Sequence, residues 1–148
     1  MQSQKKSAIQ PERDIGKQLR AVGITPTQQR VQIAEILFAR PQHLSADQIL
    51  ASVNSLGTTA SKATIYNTLG LFARRGLIRE VIVDPVKVFY DSNTSTHHHF
   101  FNLDSGELTD IDADKVVVTN LPELPGDTQL EGIDIIFRVR SSHPHEEN

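Results

Sequence analysis

The sequence predicts an α+β fold in two parts, and three observations carry this prediction. Helical hydrophobic spacing runs through the first half of the chain, a hairpin pattern follows, and short β-rich segments occupy the rest. The charge changes at the same place, since residues 1–90 hold 12 Lys and Arg against 6 Asp and Glu, whereas residues 91–148 hold 3 against 12. A basic part joined to an acidic part indicates that only the first part meets a polyanion.

Four short helices are predicted in the basic part, each with its own start signal. Pro11 suits a first helical turn, Thr25 and Ser45 are each followed three residues later by glutamine as in a capping box, and Ser61 is a candidate N-cap. Apolar residues recur behind these signals at helical spacing. The residues predicted to face inward include Ile15, Leu19, Val31, Leu37, Ile49, Val53, Ile65, Leu69 and Phe72.

Strand patterns follow the fourth helix. Residues 77–83 and 86–90 are rich in β-branched and aromatic residues and flank Asp84-Pro85, which predicts a hairpin. Further strands are predicted at residues 97–103, 107–111 and 133–140, and residues 112–120 are compatible with either a short helix or a strand. The element order predicts a winged helix-turn-helix domain over residues 11–91 and a small α/β dimerisation domain over residues 92–140. Flexible tails are expected at residues 1–10 and 141–148.

The winged helix and the basic charge predict binding to double-stranded DNA, with the fourth helix in the major groove. Polar residues of this helix suit phosphate and base-edge contacts, and a homodimer would match a palindromic promoter operator. The candidate DNA-contacting residues are Arg20, Lys62, Thr64, Tyr66 and Asn67.

The composition excludes several classes of protein. The 148-residue sequence contains no cysteine, which excludes disulfides and thiolate zinc sites, so any metal must be held by His, Asp, Glu or backbone oxygen. No apolar run is long enough to span a bilayer, and the N-terminus lacks the apolar core of a signal peptide. A cytoplasmic protein without a membrane partner is therefore expected.

Three adjacent histidines, His97, His98 and His99, stand near the boundary between the two parts. In a strand, His97 and His99 share one face and His98 points to the other. A His-x-His pair on one face can bind a transition metal through two imidazole nitrogens. This run alone is compatible with metal binding, haem binding or a solvated polar strand.

Several segments together resemble the ferric uptake regulator family over roughly residues 12–140. The similarity lies in Gly23-Ile-Thr-Pro-Thr-Gln-Gln-Arg30, His43-Leu-Ser-Ala-Asp47, Ala63-Thr-Ile-Tyr-Asn-Thr-Leu69 and the block from His97 to Asp110. The resemblance implies a dimeric winged-helix regulator with one regulatory divalent metal per subunit, Fe, Mn or Zn. The ligand set that it implies is His43, Asp91, His97, His99 and Asp110.

The sequence also departs from the family pattern. Many members hold a structural zinc with two Cys-x-x-Cys pairs, whereas here Asn102 and Ser105 occupy the first pair, so no structural zinc held by four cysteines is expected. The recognition helix has Tyr66-Asn67 where Tyr-Arg is usual. The triple histidine, the missing cysteines and the Leu121-Pro-Glu-Leu-Pro loop are similar to the iron response regulator branch, which implies haem as an alternative ligand at His97, His98 and His99.

Three functions are therefore compatible with the sequence. The expected one is a metal- or haem-responsive DNA-binding transcriptional regulator of iron and haem homeostasis, in which a regulatory metal clamps the hinge between the DNA-binding and dimerisation domains. A peroxide sensor with Fe(II) at the same five ligands is the alternative. A non-haem iron enzyme using two histidines and a carboxylate is a remote third, because five protein ligands would fill the site; we expect no enzymatic activity.

Overall fold

The computed structural model describes residues 14–142, and the chain divides into two compact units, Met1–Thr94 and Ser95–Asn148. The flexible tails predicted at residues 1–10 and 141–148 lie outside the described residues, apart from residues 141 and 142. Within residues 14–142, no helix combines the length and the apolar character that crossing a bilayer requires.

Between residues 14 and 94, the first unit contains four helices that pack around one apolar core. The helices are α1 (Ile15–Ala21), α2 (Gln28–Phe38), α3 (Ala46–Ser55) and α4 (Lys62–Arg74). Residues predicted to face inward are buried in this core, among them Leu19, Leu37, Ile65 and Phe72, each with 0% exposure. The helical spacing of these apolar residues therefore correctly predicted which face of each helix packs against the core.

Side-chain caps define where these helices begin. Ser45 and Gln48 form the predicted capping box at α3, and the Ser61 hydroxyl accepts a hydrogen bond from the Thr64 N–H at the start of α4. The prediction for α2 is wrong by two residues, because Thr27 rather than Thr25 accepts the Arg30 N–H. Both threonines have a hydroxyl at a suitable position, so the local sequence does not distinguish them.

A three-stranded sheet completes the first unit. Its strands are β1 (His43–Ser45), β2 (Arg79–Asp84) and β3 (Lys87–Asp91), in the order β1-β3-β2. The predicted hairpin is confirmed as β2 and β3, and at its turn Asp84 accepts hydrogen bonds from the N–H groups of Val86 and Lys87. Strand β1 is not evident from the sequence pattern; it pairs with β3, which lies far along the chain.

The second unit is a small sheet in the order β5-β4-β6. It consists of β4 (His97–Asn102), β5 (Leu108–Asp112) and β6 (Ile136–Val139). Strand β5 is antiparallel and β6 parallel to β4. The ambiguous residues 112–120 contain a single 3-10 turn, Ala113–Lys115, and irregular chain follows it to β6. The predicted α+β fold, an N-terminal winged helix-turn-helix followed by a small α/β unit, is confirmed.

Side chains and backbone close the turn between β4 and β5 in this cysteine-free chain. The Asn102 side-chain oxygen accepts the N–H groups of Asp104 at 2.8 Å and Ser105 at 3.1 Å. Asp104 in turn accepts the Ser141 N–H at 2.9 Å and lies 3.6 Å from the Arg140 guanidinium. Polar contacts therefore tie the turn to the chain that leaves β6, at the positions where the family resemblance would place a Cys-x-x-Cys pair.

We expect Asn102→Ala to lower the free energy of unfolding by about 1–2 kcal/mol, because two backbone donors lose their acceptor. Urea denaturation of the metal-free 148-residue chain measures this change. Ser105→Ala is the matched control, since it removes one acceptor in the same turn, for the Glu107 N–H. Equal stability of wild type and the Asn102 variant would contradict this role of the turn.

Candidate metal centre and recognition helix

The second unit brings two histidines and a carboxylate together on one face of its sheet. Antiparallel pairing places His99 directly opposite Asp110, and His97 lies two residues earlier on the same face of β4. The Asp110 Oδ1 atom is 3.3 Å from His99 Nε2 and 3.5 Å from His97 Nε2. The two imidazole rings contact each other edge to face, with centroids 4.6 Å apart.

Hydrogen bonding orients the His97 ring. Its Nδ1 lies 2.7 Å from the carbonyl oxygen of Ser95, and because a carbonyl only accepts, Nδ1 carries the proton. In the neutral ring, Nε2 then presents a lone pair toward the Asp110 carboxylate. Such a lone pair is the donor that a neutral imidazole offers to a metal ion.

The first unit contains a second His and Asp pair with the same construction. Antiparallel pairing of β1 with β3 places His43 opposite Asp91, and His43 Nε2 lies 4.0 Å from Asp91 Oδ2. The other oxygen of Asp91 accepts the Asn93 N–H at 2.8 Å, which orients the carboxylate. Asp91 is 1% exposed, a degree of burial that carboxylates show when they are paired or bound to a metal.

The predicted ligands therefore form two sets, each built within one unit. His43 and Asp91 belong to the first unit, and His97, His99 and Asp110 to the second. Neutral imidazole with carboxylate is a donor chemistry that suits Fe(II), Mn(II) and Zn(II). The geometry inside each unit fits a role in holding such an ion.

His98, the middle residue of the triple histidine, is separate from this face. It is buried, and its Nδ1 accepts the main-chain N–H of Ile135 at 3.2 Å. The three histidines considered as haem ligands thus divide into a pair on one face of β4 and a single residue on the other, so they do not form one three-residue ligand set.

The predicted DNA-contacting residues are accessible, chiefly on α4. Lys62, Tyr66 and Asn67 are exposed on this helix, Thr64 is half-buried near its start, and Arg20 is exposed on α1. The Thr64 hydroxyl forms a hydrogen bond with the Ser61 hydroxyl at 2.9 Å, so it contributes to the cap of the helix.

Asp47 is a further residue of this surface, and the sequence pattern did not connect it with Lys62. Its carboxylate lies 3.4 Å from the Lys62 ammonium group, which also lies 5.9 Å from the centre of the Tyr66 ring. Asp47 therefore forms an ion pair with one of the predicted DNA-contacting residues. Its position in the first turn of α3 gave only a helix-start signal, because the contact depends on how α3 packs against α4.

Tyr90 lies behind this surface in the core of the first unit. Burial, together with the charge of Glu80 and the nearby Tyr66, raises the pKa of Tyr90 to about 12. Its phenol is therefore neutral at physiological pH. Tyr90 precedes the candidate ligand Asp91, so β3 carries a core residue and a candidate ligand side by side.

Comparison with known proteins identifies one family over most of the chain. The family model for the ferric uptake regulator family matches residues 21–138. A peroxide-responsive repressor, PerR, of Staphylococcus epidermidis is 32% identical over 92 residues, covering 62% of this chain and 61% of that protein. The chain thus spans about three fifths of the length of the curated relatives it matches.

Solved structures share the fold at lower sequence identity. The ferric uptake regulator of Pseudomonas aeruginosa with manganese is 23% identical with a TM-score of 0.66, covering 88% of this chain and 99% of that one. The ferric uptake regulator of Vibrio cholerae is also 23% identical with a TM-score of 0.66, covering 86% and 99%.

Members of the matched family are metal-binding transcriptional regulators, not enzymes, and they bind DNA as dimers. The third interpretation of the sequence, a non-haem iron enzyme, is therefore set aside. The family model covers most of the chain, and all the candidate metal ligands, on strands β1, β3, β4 and β5, lie within the matched residues. This chain belongs to the ferric uptake regulator family.

Proposed function

We propose that this protein is a metal-responsive DNA-binding regulator whose subunit binds one divalent ion, Fe, Mn or Zn. The observation that carries the proposal is the approach of His97, His99 and Asp110 within a single sheet. The proposed ligand set adds His43 and Asp91, the opposed pair of the first unit.

In the proposed mechanism, metal binding changes the freedom of the hinge between the two units. A bound ion would supply positive charge to the imidazole donors of His43, His97 and His99 and to the carboxylates of Asp91 and Asp110, which belong to different units. Because the donors are divided in this way, metal occupancy would restrain the hinge between the units and favour one arrangement of the DNA-binding parts. The free energy of metal binding would thus be coupled to DNA affinity.

The proposed domain roles follow from charge and element type. Residues 11–91 form the DNA-binding domain, with α4 as the recognition helix, and residues 92–140 form the dimerisation and metal-sensing domain. The partner is double-stranded DNA with a palindromic operator. The proposed contacts are Arg20, Lys62, Thr64, Tyr66 and Asn67, which supply two types of interaction, phosphate neutralisation and base-edge bonding.

A homodimer is proposed because the second unit has exposed aromatic surface. Phe100 on β4 and Phe137 on β6 are register partners, their ring centroids are 5.6 Å apart, and they are 42% and 43% exposed. Val139 continues this face. In a family of dimeric regulators, a second copy is the partner that would bury it.

Two signals compete within this proposal. Control of iron and haem homeostasis is supported by the sequence features shared with the iron response regulator branch, namely the triple histidine, the absence of cysteine and the Leu121-Pro-Glu-Leu-Pro loop. A peroxide signal is supported by the relatives named as peroxide-responsive repressors, two of which are 32% and 33% identical over 92 residues. We propose the first and treat the second as its alternative.

Asp110→Asn should weaken cobalt(II) binding, because the charged oxygen shared by His97 and His99 is lost. We expect a loss of at least about tenfold, the size of effect seen even for outer-shell partners of a metal. A cobalt(II) titration followed by visible absorbance measures it. Asp114→Asn, in the neighbouring 3-10 turn, is the matched carboxylate control. Equal affinities in all three proteins would contradict the site.

Metal should increase the affinity of the wild-type protein for DNA, and the His97→Ala/His99→Ala variant should lose this increase. The probe is a duplex selected from a random-sequence pool by the manganese-loaded protein, and affinity is measured by fluorescence anisotropy with and without manganese. An equal manganese response in both proteins would overturn the proposed function, provided that both have the same melting temperature.

Peroxide sensing and haem sensing leave different marks on the protein. A peroxide sensor loaded with Fe(II) should gain one oxygen atom on His43 or His97 after peroxide, whereas zinc-loaded protein should not; mass spectrometry of peptides detects this. A haem sensor should bind haemin stoichiometrically in an absorbance titration. Haemin binding without histidine oxidation would support iron and haem control, and the reverse result would replace it by the peroxide alternative.

A further inference from the structure

His98 fixes the start of strand β6 through its side chain. Ile135, the residue before β6, is held by two consecutive residues of β4: its N–H donates to His98 Nδ1 at 3.2 Å, and its carbonyl accepts the His99 N–H at 3.2 Å. An imidazole nitrogen thus takes the place of a main-chain acceptor at the point where the parallel pairing begins, with His99 opposite Ile136.

The hydrogen bond from the Ile135 N–H defines the tautomer of the His98 ring. A nitrogen that accepts a hydrogen bond carries no proton, so Nδ1 is the acceptor and Nε2 the protonated nitrogen of a neutral imidazole. The ring is buried, with 5% exposure, on the face of β4 opposite to His97 and His99. His98 is therefore engaged with the protein backbone through the nitrogen nearest to its own strand.

Ile135 connects His98 to the candidate metal ligand His99. Loss of the acceptor at His98 would release the Ile135 N–H, and Ile135 is the residue whose carbonyl holds the His99 main chain. His99 is opposite Asp110, so movement of its backbone changes the distance between the two ligand atoms that now lie 3.3 Å apart.

We infer that His98 is a positioning residue for the metal centre, which holds Ile135 and β6 against the ligand-bearing strand. This inference rests on the proposed metal function of His97, His99 and Asp110. It assigns to the middle histidine a role that differs from ligation of metal or haem, and the required group is a hydrogen-bond acceptor at the position of Nδ1.

A pair of matched variants tests this role in the 148-residue chain. In His98→Asn, the side-chain oxygen can occupy the position of Nδ1, since both atoms are bonded to Cγ. In His98→Gln, the chain is one carbon longer and the oxygen lies near the position of Nε2. The two variants are similar in polarity and differ mainly in where the acceptor stands.

The first readout is hydrogen exchange of the metal-free protein over residues 133–137. We expect faster exchange of the Ile135 amide in His98→Gln and near wild-type protection in His98→Asn. The second readout is cobalt(II) affinity, which should fall about tenfold in His98→Gln, as for loss of an outer-shell partner, and stay close to wild type in His98→Asn. If His98 instead bound the metal through Nε2, asparagine would not preserve cobalt(II) affinity, because its oxygen occupies the position of Nδ1.

Several outcomes would overturn the inference. Cobalt(II) affinity that is equal in wild type and both variants excludes the positioning role, while failure of the wild type to bind cobalt(II) removes the metal centre and this role together. If wild type binds haemin and both variants lose haemin to the same degree, His98 is a haem ligand instead.

Discussion

The antiparallel register of β4 and β5 is the constraint on which the candidate metal centre depends. Because His99 is opposite Asp110, the face that presents two imidazoles also receives a carboxylate. The neighbouring rung on this face pairs Phe101 with Leu108, and both side chains are buried. A slip of β5 by one residue would turn Leu108 and the Asp110 carboxylate to the other face together, away from Phe101 and the histidines. Burial of the apolar rung therefore stabilises the register that places the ligands.

The same arrangement occurs in the first unit. There His43 is opposite Asp91 in the antiparallel pairing of β1 with β3, and the first unit's apolar core anchors β3 through Tyr90. In each unit a histidine on one strand is the register partner of an aspartate on the neighbouring antiparallel strand. The candidate ligands thus depend on sheet formation in both units, which links the stability of each sheet to the geometry of its donors.

In the second unit of this cysteine-free chain, hydrogen bonds hold the turn after β4, and a long irregular connection leads to β6. Asn102 and Asp104 close the turn after β4 and tie it to the chain that leaves β6. The long connection between the 3-10 turn and β6 contains Pro122 and Pro125, which disfavour a continuous helix or strand. This connection reaches β6 at Ile135, where the His98 ring receives its N–H.

The sequence by itself determined the features that arise from near neighbours. Helical spacing, the caps at Ser45 and Ser61, the hairpin and the shared face of His97 and His99 all depend on residues a few positions apart. The five-ligand set came from resemblance to the family, since no local pattern joins His43 to Asp110. Tertiary structure decided which threonine caps α2, that β1 exists, and that Asp47 meets Lys62. It also decided that His98 bonds to Ile135. Most of these contacts join residues far apart in the chain, and their energies exist only once the helices and strands have packed.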